Sequence, residues 1–231
     1  MRYFLFVIIL ASGWTSFSQE RITKDLLAFE QLTISGKHNV IINQGQEFQI
    51  NLESPHPDFQ PDKVRFTYTD EKLTIQYDGG VLRDYLIEMT ITVPTIKVIE
   101  ARNGAQINID DNFHFDINSL SLRVSVGGKI TASVKDLLWL KVLVQQGGTI
   151  QLNGTAILAD LEVKTGGLIE AKNLKVQKAN AKVNLGGDIQ VNALEILHAD
   201  IPSFGNIYYL GSPELISNLG RRANLTALRD E

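Results

Sequence analysis

Four glycine pairs recur through the second half of the chain at a nearly fixed interval: Gly127-Gly128, Gly147-Gly148, Gly166-Gly167 and Gly186-Gly187, in steps of 20, 19 and 20 residues. A degenerate copy, Phe204-Gly205, follows 18 residues later. Two residues past each copy stands an isoleucine: Ile130, Ile150, Ile169, Ile189 and Ile207. A short fixed period of this kind predicts a coiled chain with one repeat per turn, because a single repeat cannot bury its own apolar face.

Aligned on the glycines, the repeats resolve into columns. Leu122, Val142, Leu161, Ala181 and Ala199 form one, and Val124, Val144, Val163, Val183 and Ile201 a second. After the glycines come the isoleucines, then Ala132, Leu152, Ala171, Val191 and Tyr209. Apolar positions two residues apart on each arm are the mark of strands with one buried face. The residues between them are mostly polar, among them Arg123, Glu162, Lys182 and Asp200 on one arm and Thr131, Gln151, Glu170, Gln190 and Tyr208 on the other. The glycines supply the positive φ that a sharp corner between the arms requires. A looser column, Leu137, Ile157, Val176 and Ile196, predicts a third side to each turn. The rung lacks the six-residue subdivision of left-handed β-helices, so the expected fold is an all-β, right-handed parallel β-helix of about 20 residues per rung.

Residues 28–110 are strand-rich but irregular, with alternating runs around Leu32, Val40, Ile50, Phe66, Ile75 and Ile91 separated by turn-forming residues such as Asp78-Gly79-Gly80. Asn103-Gly104 followed by Ile107 reads as an early corner. This half is expected to supply the first rungs and projecting hairpins that cap one end, since a bare terminal strand invites aggregation. No linker separates the halves, so residues 19–220 are read as one domain. Residues 214–231 are read as polar and either helical or frayed, with 221–231 a C-terminal tail.

At the other terminus, Arg2 and the apolar run Tyr3–Ala11, followed by Gly13, Ser16 and Ser18, have the layout of an export leader covering residues 1–18. The net charge is −4, and loss of the leader with Arg2 makes it −5. That balance offers no basic surface for nucleic acid. The chain has no cysteine, which removes disulfides, thiolate metal sites and a lipid-bearing cysteine from consideration.

The segments Phe29-Glu30-Gln31-Leu32-Thr33-Ile34-Ser35-Gly36, Asn39-Val40-Ile41-Ile42-Asn43-Gln44-Gly45 and Ile91-Thr92-Val93-Pro94, the Gly-Gly-x-Ile copies and Tyr209-Leu210-Gly211-Ser212-Pro213 together resemble the head GIN domain family. Its members are described as auto-transporter adhesins and are common in Bacteroidota. The resemblance spans about residues 28–213. It implies a right-handed β-helix in an exported protein and brings no catalytic residues with it. The family's Ser-Gly-Ser-Gly corner is replaced here by Val-, Gln-, Thr- and Leu-Gly-Gly.

Candidate chemistry is sparse. His38, His56, His114 and His198 form no H-x-H or H-x-x-x-H pair and read as solvated loop residues rather than metal ligands. Gly186-Gly187-Asp188-Ile189 lacks the third glycine and recurring aspartate of calcium-binding β-rolls. Glu162 and Asp200 lie two rungs apart with Lys182 between them, about 10 Å on strand spacing, at the far edge of what a glycosidase pair uses. A ladder of alternating charges explains them better. Of Trp139, Tyr208 and Tyr209, only Tyr208 reads as an exposed aromatic for sugar stacking. No catalytic, cofactor-binding or metal-binding residue is therefore assigned, and no cofactor is expected. The leading expectation is an exported, non-enzymatic adhesion or glycan-binding module of the periplasm or cell surface, with a glycan or an envelope protein as partner. A carbohydrate-active enzyme and a self-associating envelope component are the alternatives.

Overall fold

The computed structural model describes residues 21–56, 58–78, 86–115 and 118–229. The leader-like segment 1–18 lies outside the described residues. The protein is a β-solenoid of about 6 turns with roughly 20 residues per rung. Sixteen strands are described: β1 (Arg21–Asp25), β2 (Gln31–Ser35), β3 (Asn39–Gln44), β4 (Gln49–Glu53), β5 (Val64–Thr69), β6 (Lys72–Tyr77), β7 (Glu88–Val93), β8 (Val98–Arg102), β9 (Gln106–Ile109), β10 (Ser119–Ser125), β11 (Lys129–Gln145), β12 (Thr149–Thr165), β13 (Leu168–Ile201), β14 (Phe204–Leu210), β15 (Glu214–Leu219) and β16 (Arg222–Ala227).

The predicted columns stack in register. Val124 pairs with Val144 across β10 and β11, and Ile130 with Ile150 across β11 and β12. Ile150 then pairs with Ile169, Leu161 with Ala181, and Ile189 with Ile207. All five isoleucines of the corner column are fully buried. Both arms feed one continuous apolar core. Each β-branched side chain lies directly over its counterpart one rung away, an arrangement that fills a pleated surface well.

The two glycines of each corner have different work. The first takes the left-handed conformation, as at Gly166 (φ 62°), where nothing lies near the missing Cβ. The second is a packing requirement. A Cβ on Gly167 would lie 2.5 Å from Val144 Cγ1 and 2.9 Å from the Gly148 carbonyl oxygen of the rung before. Gly205 meets Val183 and Gly187 in the same way, which explains why the degenerate copy keeps its second glycine and replaces only the first.

Three readings of the sequence need correction. The third side is short, and its inward position on β12 is Ala156, which pairs with Leu137 and Val176. Ile157 points outward at 39% exposure, and Ile196 is only half-buried, because two successive outward residues at each bend break the period-two alternation. The polar C-terminal segment is not a frayed tail: β15 stacks parallel on the end of β13 and β16 stacks parallel on β14, adding most of another rung. His38 is buried, not a solvated loop residue, with its ring packed under the Gly36 corner.

In the first half the strand order departs from chain order. The rung made by β2 and β3 is inserted between β6–β7 and β8–β9. β8 and β9 then pair with β10 and β11, so the irregular strands run directly into the regular coil. The expected early corner is present, with Asn103 and Gly104 both at positive φ and Ile107 pairing with Ile130. The anticipated capping hairpin is β5–β6, and β4 and β1 add antiparallel strands on the other arm.

Candidate functional site

An array of mostly polar side chains lies on the sheet that precedes the glycine corners. Register places Thr74, Thr33, Glu100, Arg123, Leu143, Glu162 and Lys182 in one column across successive rungs. Thr33 and Glu100 are buried, and Glu100 is held by Arg102 Nε at 2.7 Å and by the Thr33 hydroxyl, which donates at 3.2 Å. Further along, Lys182 pairs with Asp200 at 2.8 Å. Asn184 donates to Glu162 at 2.9 Å and Asn218 to Asp200 at 2.9 Å. The hydrogen bond from Lys182 holds the Asp200 carboxyl below the usual carboxylate range, and the same bond raises the Lys182 ammonium. The Glu162–Lys182–Asp200 column thus exists as foreseen, as a charge ladder with each member engaged.

Beside it runs a second column that the sequence reading passed over: Lys141, Asp160, Asn180 and His198. Asn180 donates to Asp160 Oδ1 at 2.7 Å, and His198 Nδ1 lies 3.0 Å from Asn180 Oδ1. Trp139 sits diagonally to Asp160 and donates its indole N–H to Asp160 Oδ2 at 2.8 Å. The ring is 47% exposed and pairs in register with exposed Leu158, with Leu138 and Ile157 beside it on the bend. Tyr208 is only half-buried on the other arm and Tyr209 packs against the core, so of these three aromatics Trp139, not Tyr208, is the exposed one. The signal was available: Lys141, Asp160, Asn180 and His198 recur at steps of 19, 20 and 18.

Three concavities on the described surface are open, the first two mainly polar and the third mixed. A groove of about 670 Å³ passes Asn43, Gln46, Asp110 and Asn112, and the Gln44 side chain ties its walls through the carbonyls of Pro94 and His114. One of about 470 Å³ follows the corners past Arg102, Gln145 and Lys164. A third, about 350 Å³, contains Asp111, His114 and Asp136. There Asp111 accepts from Ser133 at 2.7 Å and Asp136 from Thr155 at 2.9 Å, while His114 Nδ1 lies 2.7 Å from the Asn112 carbonyl. Among the described residues, no group of three or more His, Cys, Asp or Glu side chains is placed to hold a metal ion. No helix among them is long and apolar enough to cross a membrane.

The profile of one family, described as "Putative auto-transporter adhesin, head GIN domain", matches residues 28–213. The chain belongs to the head GIN domain family. A crystal structure of a "putative adhesin" from Bacteroides fragilis shares this head GIN fold with a TM-score of 0.73 and 25% identity, over 91% of this chain and 98% of that one. A second "putative adhesin", from Parabacteroides merdae, gives 0.70 and 19%, over 93% and 98%. A "putative lipid binding protein" from Parabacteroides distasonis gives 0.69 and 17%, also over 93% and 98%. No curated protein matches the head GIN chain by sequence.

Proposed function

We propose that the protein is an exported, non-enzymatic adhesion module that binds a glycan across the flat sheet face around Trp139. The row Trp139–Asp160–Asn180–His198 carries this reading. Asp160 holds the indole by its N–H, so the ring is fixed in orientation while its apolar faces remain available. An exposed aromatic with one polar end tied down suits a partner that is apolar on one face and rich in hydroxyls elsewhere. Asp160, Asn180 and His198 add alternating acceptors and donors spaced one strand apart, about 4.8 Å. Family membership and the leader-like first 18 residues support export to the envelope or the cell surface.

Asp200, beside this row, does not fit the general acid of a glycosidase. A glycosidic general acid needs a carboxyl whose pKa is raised, so that it is protonated near neutrality. Asp200 is shifted the opposite way by Lys182. The test is binding of the labelled protein to a glycan array and to bacterial and host cells. Wild type should bind a defined glycan set, and Trp139→Ala should lose about tenfold or more in affinity with an unchanged circular dichroism spectrum, since one stacked aromatic anchor is worth this much. Background signal throughout, or unchanged binding by the variant, would remove the assignment. Release of reducing ends from any bound polysaccharide would turn the reading toward an enzyme.

A further inference from the structure

The two ends of the solenoid are built differently. At the first end, β5 runs antiparallel to β6, and β4 and β1 run antiparallel beyond β7. Leu26, Phe29 and Phe59 are buried across that end, with Phe29 packed on Phe48 at 5.3 Å and Phe59 on Tyr77 at 5.8 Å between ring centroids. Lys24 on β1 reaches over the Phe66 ring of β5, tying the two arms together.

The other end is left open. β15 and β16 each pair on one side only, among the described residues. The inward column that is fully buried at Ile201 ends at Leu219, its register partner, which is 45% exposed. Leu215, stacked on buried Leu197, is 42% exposed. The centre of β15, Leu215-Ile216-Ser217-Asn218-Leu219, carries none of the charges or prolines that usually protect a sheet edge.

We propose that this end is a self-association surface, on which a second copy of the chain docks end to end about a twofold axis with the two β15 strands antiparallel. Its charges favour a copy of itself. β15 begins at Glu214 and is followed by the corner Gly220-Arg221-Arg222. Antiparallel self-pairing brings the acidic start of each strand beside the basic corner of the other, twice by symmetry. The apolar positions agree. Opposite residues of an antiparallel ladder share a face, so a register centred on Ser217 sets Leu215 across from Leu219 of the second copy, both inward. The core then continues across the junction, and Glu214 faces Gly220 next to Arg221. A twofold contact of this kind closes on itself, whereas head-to-tail stacking would have to dock on the sealed first end.

The test is sedimentation equilibrium of the purified protein over a wide concentration range. The expected result is a monomer–dimer equilibrium with no larger species. Glu214→Arg and Arg221→Glu should each weaken dimerisation by about tenfold, by placing like charges together at two symmetric positions. The double exchange should return the affinity to within about threefold of wild type, because the pairs are remade with reversed sign. Both positions are exposed, so circular dichroism should not change. A monomer at every concentration, a dimer indifferent to Glu214→Arg, a double variant as weak as the singles, or open-ended polymers would each overturn the proposal. The outcome is independent of glycan binding, which uses the sheet face and not its end.

Discussion

At the residue scale, the corner shows why one amino acid can be required twice for different reasons. Gly166 needs only its backbone conformation, and an alanine there pays the left-handed cost of about 1–2 kcal/mol. Gly167 needs both its conformation, φ 107°, and its empty volume against Val144 and the Gly148 carbonyl. Gly167→Ala should therefore destabilise the protein by about 2 kcal/mol more than Gly166→Ala, in the range of an overpacked core, as read from urea midpoints. Equal losses would mean that the rungs give way at the corner. The Lys182–Asp200 pair yields a second expectation, with a sign. The folded pKa of Asp200 lies below its ordinary 3.8, so its contribution is present above that value and fades as pH falls through the lowered one. Lys182 is shifted up from 10.5, so its contribution is full below that value and is lost as pH rises past the raised one. Both groups are largely solvated, and the effect on stability is small. The direct readout is carboxyl NMR: Lys182→Met should move the Asp200 titration back up, because the Lys182 hydrogen bond is the largest cause of its lowering. An unmoved titration would show that the ladder does not form in solution.

At the scale of the element, two isoleucines on neighbouring rungs separate what the sequence discloses from what it hides. Ile169 belongs to a column fixed by its distance from a glycine pair, and it is fully buried. Ile157 fell into a column by simple counting of about 20 residues, yet it faces solvent because two bends per rung each insert an extra outward residue. Ile169→Ala should cost about 2–5 kcal/mol, as expected for a fully packed core position. Ile157→Ala should stay within about 0.5 kcal/mol, as for an ordinary surface site. Comparable losses in thermal unfolding would place both side chains in the core. Strand periodicity was thus legible wherever the alternation ran unbroken from a corner, and illegible past the first bend. The same limit explains β15 and β16: Ser217, Asn218 and Asn224 dilute the apolar signal, and among the described residues no further rung stacks on this one to bury its side chains. Trp139 was misjudged for a related reason. Its exposure follows from the bend at Leu138, and its bond to Asp160 from a diagonal between rungs that counting along one strand does not reveal. His38 was misread because burial under a corner depends on Gly36 having no side chain, a contact in space that spacing does not encode.

At the scale of the whole molecule, stability in a solenoid is close to a sum over neighbouring rungs, so opening starts at the ends and spreads inward. The first end resists this. The β2–β3 rung lies between two others, so the strands around it cannot peel away in chain order, and aromatics with antiparallel strands seal the terminal layer. At the second end, among the described residues, β16 pairs with β14 alone and β15 with the last arm of β13 alone, and their own side chains are half-buried or exposed. Amide hydrogen exchange should consequently be graded: fastest in β15 and β16, slower in β14, and slowest in β11 to β13 and in β2 and β3. The gradient is expected in the Glu214→Arg variant, or in wild type diluted below its dimerisation range. At high wild-type concentration the β15 amides should become selectively protected, because antiparallel pairing engages the N–H groups that the monomer leaves open. Uniform protection in the dilute protein would show that the coil unfolds as one cooperative block. Protection of β15 that ignores concentration would show that its edge is covered within the single chain.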